Sequence, residues 1–253
     1  MEKLRLLSLF AGIGGFELGL ERSGAFETVA QCEIDPFCRR VLAKHWPQVK
    51  RYEDVRELTA ARLTADGIAV DAICGGFPCQ DLSVAGKRAG IEGARSGLWS
   101  EFARLIGEIR PRVVFVENVT GLLSGPSEQP GGWFGRVFGD LASIGYDAEW
   151  HCIPAGNIGA PHERDRSWII AYTYQARLQK RPIFARMAGM ETGAAWRQDA
   201  SVCSGWPAEP NVLRVADGVP NRVDRIGALG NAVVPQIPEL LGRAYAQAMG
   251  MRP

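Results

Sequence analysis

Long apolar runs are missing from this chain of 253 residues, and with them any candidate membrane span, since a bilayer crossing takes on the order of 18 consecutive apolar residues. Histidine is scarce, at three. The six cysteines, at 32, 38, 74, 79, 152 and 203, make no CxxC and no Cys/His spacing of the kind that builds a zinc site. A reduced, intracellular protein is the simplest reading. No charged-then-apolar leader opens the chain, because "MEKLRLLSLFAGIGG" runs into glycines after one short apolar stretch, so a soluble, non-exported protein is expected. An excess of one charge is lacking too. Lys and Arg number 29 against 28 Asp and Glu, a net charge of +1 that carries no overall signature of a polyanion partner. Residues 175–225 alone are biased, with 8 basic against 5 acidic side chains, a weak local hint of nucleic acid. Internal repeats and low-complexity tracts are absent.

What is present suits one full-sized core. Apolar runs of strand length alternate with stretches of helical period, the pattern of an α/β fold with a largely parallel sheet. "LRLLSLF" (4–10) reads as a buried first strand, "AGIGG" as a turn, and "FELGLERSG" as a short helix ending at Gly24. "FETVAQCEID" is a second strand, followed by a helix from Pro36. "VDAICGG" is a third. "GLWSEFARLIGEIR" carries Leu98, Phe102, Leu105, Ile106 and Ile109 on one helical face. "RVVFVENV" is a strand ending in a carboxylate, "FGRVFGDLASIG" a helix, and "YDAEWHCIPA" and "RSWIIAYT" two further strands. From about 175 to 220 the periodicity fails, which suggests an irregular insert. "IPELLGRAYAQAM" closes the chain as a helix. The division expected is 1–174, 175–220 and 221–253.

The glycine turn in "LFAGIGG" would let backbone approach a ligand at the carboxyl edge of a parallel sheet, although such turns are about as often purely structural. The second strand ends in Glu33, an acid where a ribose hydroxyl pair needs an acceptor. Because Gly12, Gly14 and Gly15 depart from GxGxxG, a smaller, non-phosphate cofactor is preferred over a dinucleotide. Cys79 differs from Cys32, Cys74 and Cys152, which lie within apolar strands and are expected to be inert. It follows a proline in "GGFPCQDLSVAGKR" (75–88), at the carboxyl end of a strand, where reactive groups gather in such folds.

"LFAGIGGFELGLERSG", "CEIDPFCRRVLAKHWP", "GGFPCQDLSVAG", "ENVTGLL", "GAPHERDR" and "ALGNAVVPQIP" stand in the order and wording of the C5-cytosine DNA methyltransferase family, which the chain resembles over nearly its whole length except about 175–210. The resemblance implies a Rossmann-like S-adenosylmethionine-dependent methyltransferase fold with a mostly parallel central sheet and a small irregular target-recognition insert. It implies methyl transfer to carbon 5 of cytosine through a covalent adduct of Cys79 on a flipped-out base. Glu117 would serve ring nitrogen 3, Arg166 the oxygen at position 2, and Arg164 the cysteine loop or its thiolate, while Asn118 would brace the loop. His162 stands where a glutamine is common in the family.

The resemblance further implies S-adenosyl-L-methionine as cofactor, lined by Phe10, Gly12 and Gly14, with Glu33 on the ribose and Ile34 over the adenine in place of a common tryptophan. Asp54 would accept from the adenine amino group, Pro78 and Leu98 would close the pocket, and Asn231 and Val233 would meet the methionine end. No metal is implied. The glycine-rich stretch 75–97, with Lys87, Arg88 and Arg95, would close over the DNA. An insert of about 40 residues suggests a short or relaxed target site. Double-stranded DNA is the expected partner, without a membrane and without a stable complex with any cognate restriction endonuclease. A monomer is expected in the cytoplasm, associated with the nucleoid through DNA, belonging to a restriction-modification system, a virus or neither. Two other readings stand beside this one. An RNA cytosine methyltransferase lacks support because the Cys-Phe-Thr signature of that branch is absent, and a non-catalytic relative should have lost some of the residues named.

Overall fold

The computed structural model describes residues 2–78, 97–123, 132–160, 162–173, 182–187 and 222–251. Among them are β1 (Leu4–Leu9), β2 (Phe26–Cys32), β3 (Lys50–Tyr52), β4 (Ala72–Gly75), β5 (Val113–Val119), β6 (Tyr146–Pro154) and β7 (Asp165–Thr173). These form a single sheet in the order β3-β2-β1-β4-β5-β7-β6. The first five in that order run parallel, and β7 and then β6 add to the far side antiparallel. The described helices are α1 (Gly15–Arg22), α2 (Pro36–His45), α3 (Ala60–Ala65), α4 (Gly97–Ile109), α5 (Gly132–Ser143), α6 (Ile183–Met187), α7 (Arg222–Asn231) and α8 (Gln236–Ala248).

Period-two alternation within strands buried on both sides divides the core in two. Leu7 and Leu9 of β1 and Val114 and Val116 of β5 point to one face, where they meet Trp99, Phe102, Leu105 and Ile106 of α4 and Trp133, Val137 and Leu141 of α5. Leu4 and Leu6, with Val113 and Phe115, point to the other, against Phe16 and Leu20 of α1 and Ile237, Leu241 and Tyr245 of α8. Ile183 and Met187 of α6 are buried in this second core, and Glu149 of β6 accepts hydrogen bonds from the backbone N–H of Ile183 (2.8 Å) and Phe184 (3.2 Å). Part of the stretch read as an irregular insert therefore belongs to the packing of the sheet.

Local chemistry sets the element ends. Asp35 caps α2 by accepting from Cys38 N (2.9 Å), with Pro36 in the first turn where its missing N–H costs nothing. Gly14, at φ 92, begins α1, and a side chain there would collide with the ring of Trp46. β1 lies between β2 and β4, so the chain leaves β1 toward one side and later returns to the other. The topological switch opens a crevice at the carboxyl ends of these strands.

One buried group conflicts with its surroundings. Glu17 of α1 is fully buried, receives Gln31 Nε2 on Oε1 (3.1 Å) and has no partner on Oε2. Burial pushes its carboxyl from the ordinary 4.5 up to about 7. Between those values the native state binds the extra proton, so stability falls as pH rises through that window and is lower above it. Glu17→Gln is expected to flatten this dependence: the wild-type melting temperature should drop by roughly 5 °C between pH 5 and pH 8, and that of the variant should not. Thermal melts followed by circular dichroism at the two pH values check it.

Candidate active site

A cleft of about 780 Å³ lies at the carboxyl ends of β1, β2, β4 and β5, within the range of roughly 300–1,000 Å³ of small-molecule sites. Phe10, Gly12, Glu33, Ile34, Asp54, Pro78, Leu98, Glu117, Arg164, Arg166 and Asn231 all line it. Gly14 and Val233 are not among its lining residues. Gly14 faces Trp46, and the Val233 carbonyl lies against Gly15 at the start of α1. Cys79, with most of the glycine-rich stretch after it, lies outside the described residues, and the loop leading to it enters the cleft through Gly76, Phe77 and Pro78.

On the β1–β2 side, Phe10 has φ 53 and Gly12 φ 56, and this left-handed turn points Gly12 N at Glu33 Oε2 (2.7 Å). The other oxygen of Glu33 accepts from Asp35 N (2.8 Å), so the carboxylate is held between the glycine turn and the start of α2. Asp54 is clasped by Arg56, whose Nη2 lies 2.6 Å from Oδ2 and holds the carboxyl below its usual range. Ile34 is 63% exposed, a large apolar side chain left uncovered at the cleft wall. Two hydrogen-bond-accepting carboxylates and the apolar faces of Phe10, Ile34 and Leu98 form a lining that fits a nucleoside.

At the other end, Glu117 is 8% exposed on β5, and Arg166 Nε lies 3.0 Å from its Oε1. Burial raises the Glu117 carboxyl above its ordinary value, and the charges of Arg166 and Arg164 pull against that rise. Such a carboxyl can carry a proton at a pH where exposed acids cannot. β5 and β7 pair antiparallel with Val119 opposite Arg166, which brings the arginine side by side with the acid. Asn118 donates from Nδ2 to Phe77 O (3.2 Å), tying β5 to the loop that leads to Cys79. Arg164 donates to Gly230 O (2.8 Å) and Ala232 O (2.6 Å).

Sequence reasoning missed Gly76 as a site residue. A Cβ there would stand 2.9 Å from Glu117 Oε2, so the second glycine of "GGFP" is what lets the carboxyl lie against the loop. The doubled glycine was the available signal. Gly76→Ala is expected to displace the acid and lower any turnover at this cleft by about 10²-fold, with little change in ligand affinity at the Glu33 end, as steady-state kinetics and calorimetry would register. Cys32, Cys38 and Cys74 are buried, with the thiols of Cys32 and Cys38 pushed up to about 12 and that of Cys74 raised well above its ordinary value, so none is a ready nucleophile. Cys152, on the outermost strand β6, is only half-buried, because that strand has a single neighbour. Among the described residues no His, Cys, Asp and Glu side chains gather into a metal-binding group, and no helix is long and apolar enough to cross a membrane.

A model of the C-5 cytosine-specific DNA methylase family matches residues 4–193. The Type II methyltransferase M2.BsuMI of Bacillus subtilis is 35% identical over 176 residues, 68% of this chain and 43% of that protein. The chain spans about half the length of the curated relatives it matches. A crystal structure assigned to a prophage-encoded DNA modification methyltransferase of E. coli superposes with a TM-score of 0.60 at 29% identity, covering 71% of this chain and 49% of that one. The Entamoeba histolytica methyltransferase EhMeth shares the fold across 98% of this chain and 99% of its own, with a TM-score of 0.67 at 13% identity. With the family's pattern matched over most of its length and a cleft assembled from the same motifs, the chain belongs to the C-5 cytosine-specific DNA methylase family.

Proposed function

We propose that this chain transfers a methyl group from S-adenosyl-L-methionine to carbon 5 of cytosine in double-stranded DNA. The observation that carries the proposal is the pair of buried Glu117 and half-buried Arg166, 3.0 Å apart, beside the loop that leads to Cys79 and in one cleft with Glu33. The cofactor supplies a methyl carried on sulfonium, electrophilic toward a carbon nucleophile. Phe10, Gly12, Glu33, Ile34 and Asp54 hold its nucleoside, and Asn231 with the segment through Val233 borders its other end.

Carbon 5 of cytosine is too weak a nucleophile without activation. The Cys79 thiolate adds to carbon 6, and the electron pair of the 5,6 double bond moves into the ring toward nitrogen 3. Glu117 gives or shares its proton there, so the charge never stands unscreened, and Arg166 steadies the acid while facing the oxygen at position 2. After transfer, solvent takes the proton from carbon 5, nitrogen 3 returns its proton to Glu117, and the sulfur leaves carbon 6 as thiolate while the 5,6 double bond re-forms. Carbon 6 is hidden inside a duplex, so the base is rotated out of the stack to meet the cleft.

The part of 175–220 that follows the packed α6 supplies base contacts, and the few side chains so short a stretch can place point to a short or relaxed target site. The protein acts as a cytoplasmic monomer on the nucleoid, with no stable nuclease complex. Incubation with tritiated cofactor and either duplex DNA or transfer RNA tests the reading: label is expected in DNA, and label in RNA alone or in neither overturns it. Bisulfite sequencing of the product reports the target, and a long, strictly required motif would refute the short-site expectation.

A further inference from the structure

Arg164 is one of three non-glycine residues at positive φ among those described, at 34°, and shares the cleft with another, Phe10. Backbone in that region is costly for a side-chain-bearing residue and persists where surrounding contacts over-determine it. Those contacts are specific. Nη1 donates to Gly230 O (2.8 Å) and Nη2 to Ala232 O (2.6 Å). The Gly230 carbonyl lies in the last turn of α7, where C=O groups lack helical partners and a cation is favoured by the helix dipole, and the Ala232 carbonyl lies just past the helix end. Asn231, which lines the cleft, lies between them in the chain. Two residues beyond Arg164, Arg166 grips Glu117. A short piece of backbone thus joins the acid that serves the base to the segment that borders the cofactor, through two charge-assisted hydrogen bonds with fixed fork geometry.

We propose that Arg164 is a positioning residue that fixes the α7 end, and with it Asn231 and the methionine end of the cofactor, in register with the Glu117–Arg166 pair. This rests on the methyltransferase reading and differs from service to the cysteine loop or its thiolate, a role that needs no change in cofactor binding by the free enzyme. Arg164 governs cofactor affinity before DNA arrives, and it governs the alignment of donor and base afterwards.

Calorimetric titration of the protein with S-adenosylhomocysteine, in the absence of DNA, separates the two. Arg164→Ala is expected to weaken binding by about 10–100-fold and to lower kcat at saturating cofactor. Arg164→Lys, which keeps the charge and can serve only one of the carbonyls well, should recover part of the affinity. In a double-mutant cycle with Asn231→Ala the losses should fall short of additive, as they do for groups acting as one unit. If Arg164→Ala binds as tightly as wild type while losing only kcat, the proposal falls and the methyltransferase reading stands. If wild type itself binds no S-adenosylhomocysteine, that reading falls and takes the proposal with it. Should Arg164→Ala fail to fold in a thermal melt, Arg164→Lys decides alone: at least threefold weaker binding is expected, and unchanged affinity is the contrary result.

Discussion

Cys79→Ser is expected to abolish methylation of DNA, lowering kcat by at least about 10³-fold while cofactor affinity stays at its wild-type value. A thiol is a few per cent thiolate at neutral pH and its sulfur is intrinsically nucleophilic, whereas a serine hydroxyl stays protonated and no neighbouring base is assigned to activate it. The described cysteines do not substitute, because burial pushes the thiols of Cys32 and Cys38 up to about 12 and raises that of Cys74 well above its ordinary value, and Cys152 does not line the cleft. The covalent step can be caught. A duplex carrying 5-fluorocytosine at methylatable sites cannot lose fluorine where a proton would leave, so the bond to carbon 6 persists after methyl transfer. A denaturation-resistant protein–DNA adduct should form with wild type and cofactor, map to residue 79, and be absent from Cys79→Ser. An active serine variant, or an adduct elsewhere in the chain, would sink the mechanism.

The second large effect belongs to Glu117. Glu117→Gln preserves volume and can still direct an N–H toward ring nitrogen 3, but it has no proton to transfer, and kcat should fall by roughly 10²–10⁴-fold. The pH profile distinguishes lost proton transfer from lost packing. Burial raises the Glu117 carboxyl, so the proton-bearing form prevails at low pH and is depleted as pH rises through its shifted value. The thiolate population at position 79 grows in the same direction, and the two opposed trends give wild type a bell-shaped dependence of kcat/KM. Glu117→Gln should retain the ascending limb and lack the descending one. Arg166→Ala removes a cation that lowers the carboxyl, so its descending limb should move to higher pH, whatever its maximal rate. A descending limb that survives unchanged in Glu117→Gln would assign the proton to another group.

The parts of the chain that proved legible carry a local pattern. "LRLLSLF" and "RVVFVENV" are apolar runs of strand length and form β1 and β5, while Asp35-Pro36 announces a helix and α2 begins there. The elements that escaped carry too little pattern. β3 has only three residues, too few to express a period, and α3 only six. α7, "RVDRIGALGN", holds two glycines that depress helix propensity, and its end is met by Arg164, just before β7 and far away in the chain.

The amino-acid order alone pointed to a largely parallel sheet and to the family, and nominated the residues proposed for the chemistry, because hydrophobic period and motif wording are properties of neighbouring residues. Only the tertiary structure decided how those residues are connected. The Glu33 carboxylate meets Gly12 N because β1 and β2 are paired in parallel, and Glu117 meets Arg166 because β5 and β7 are paired in antiparallel. Gly76 earns its place by proximity to a carboxyl 41 residues further along, and Arg164 turns toward the carbonyls at the end of α7. Contacts of a few ångströms between distant segments depend on strand pairing and packing, and no local pattern of side chains encodes them.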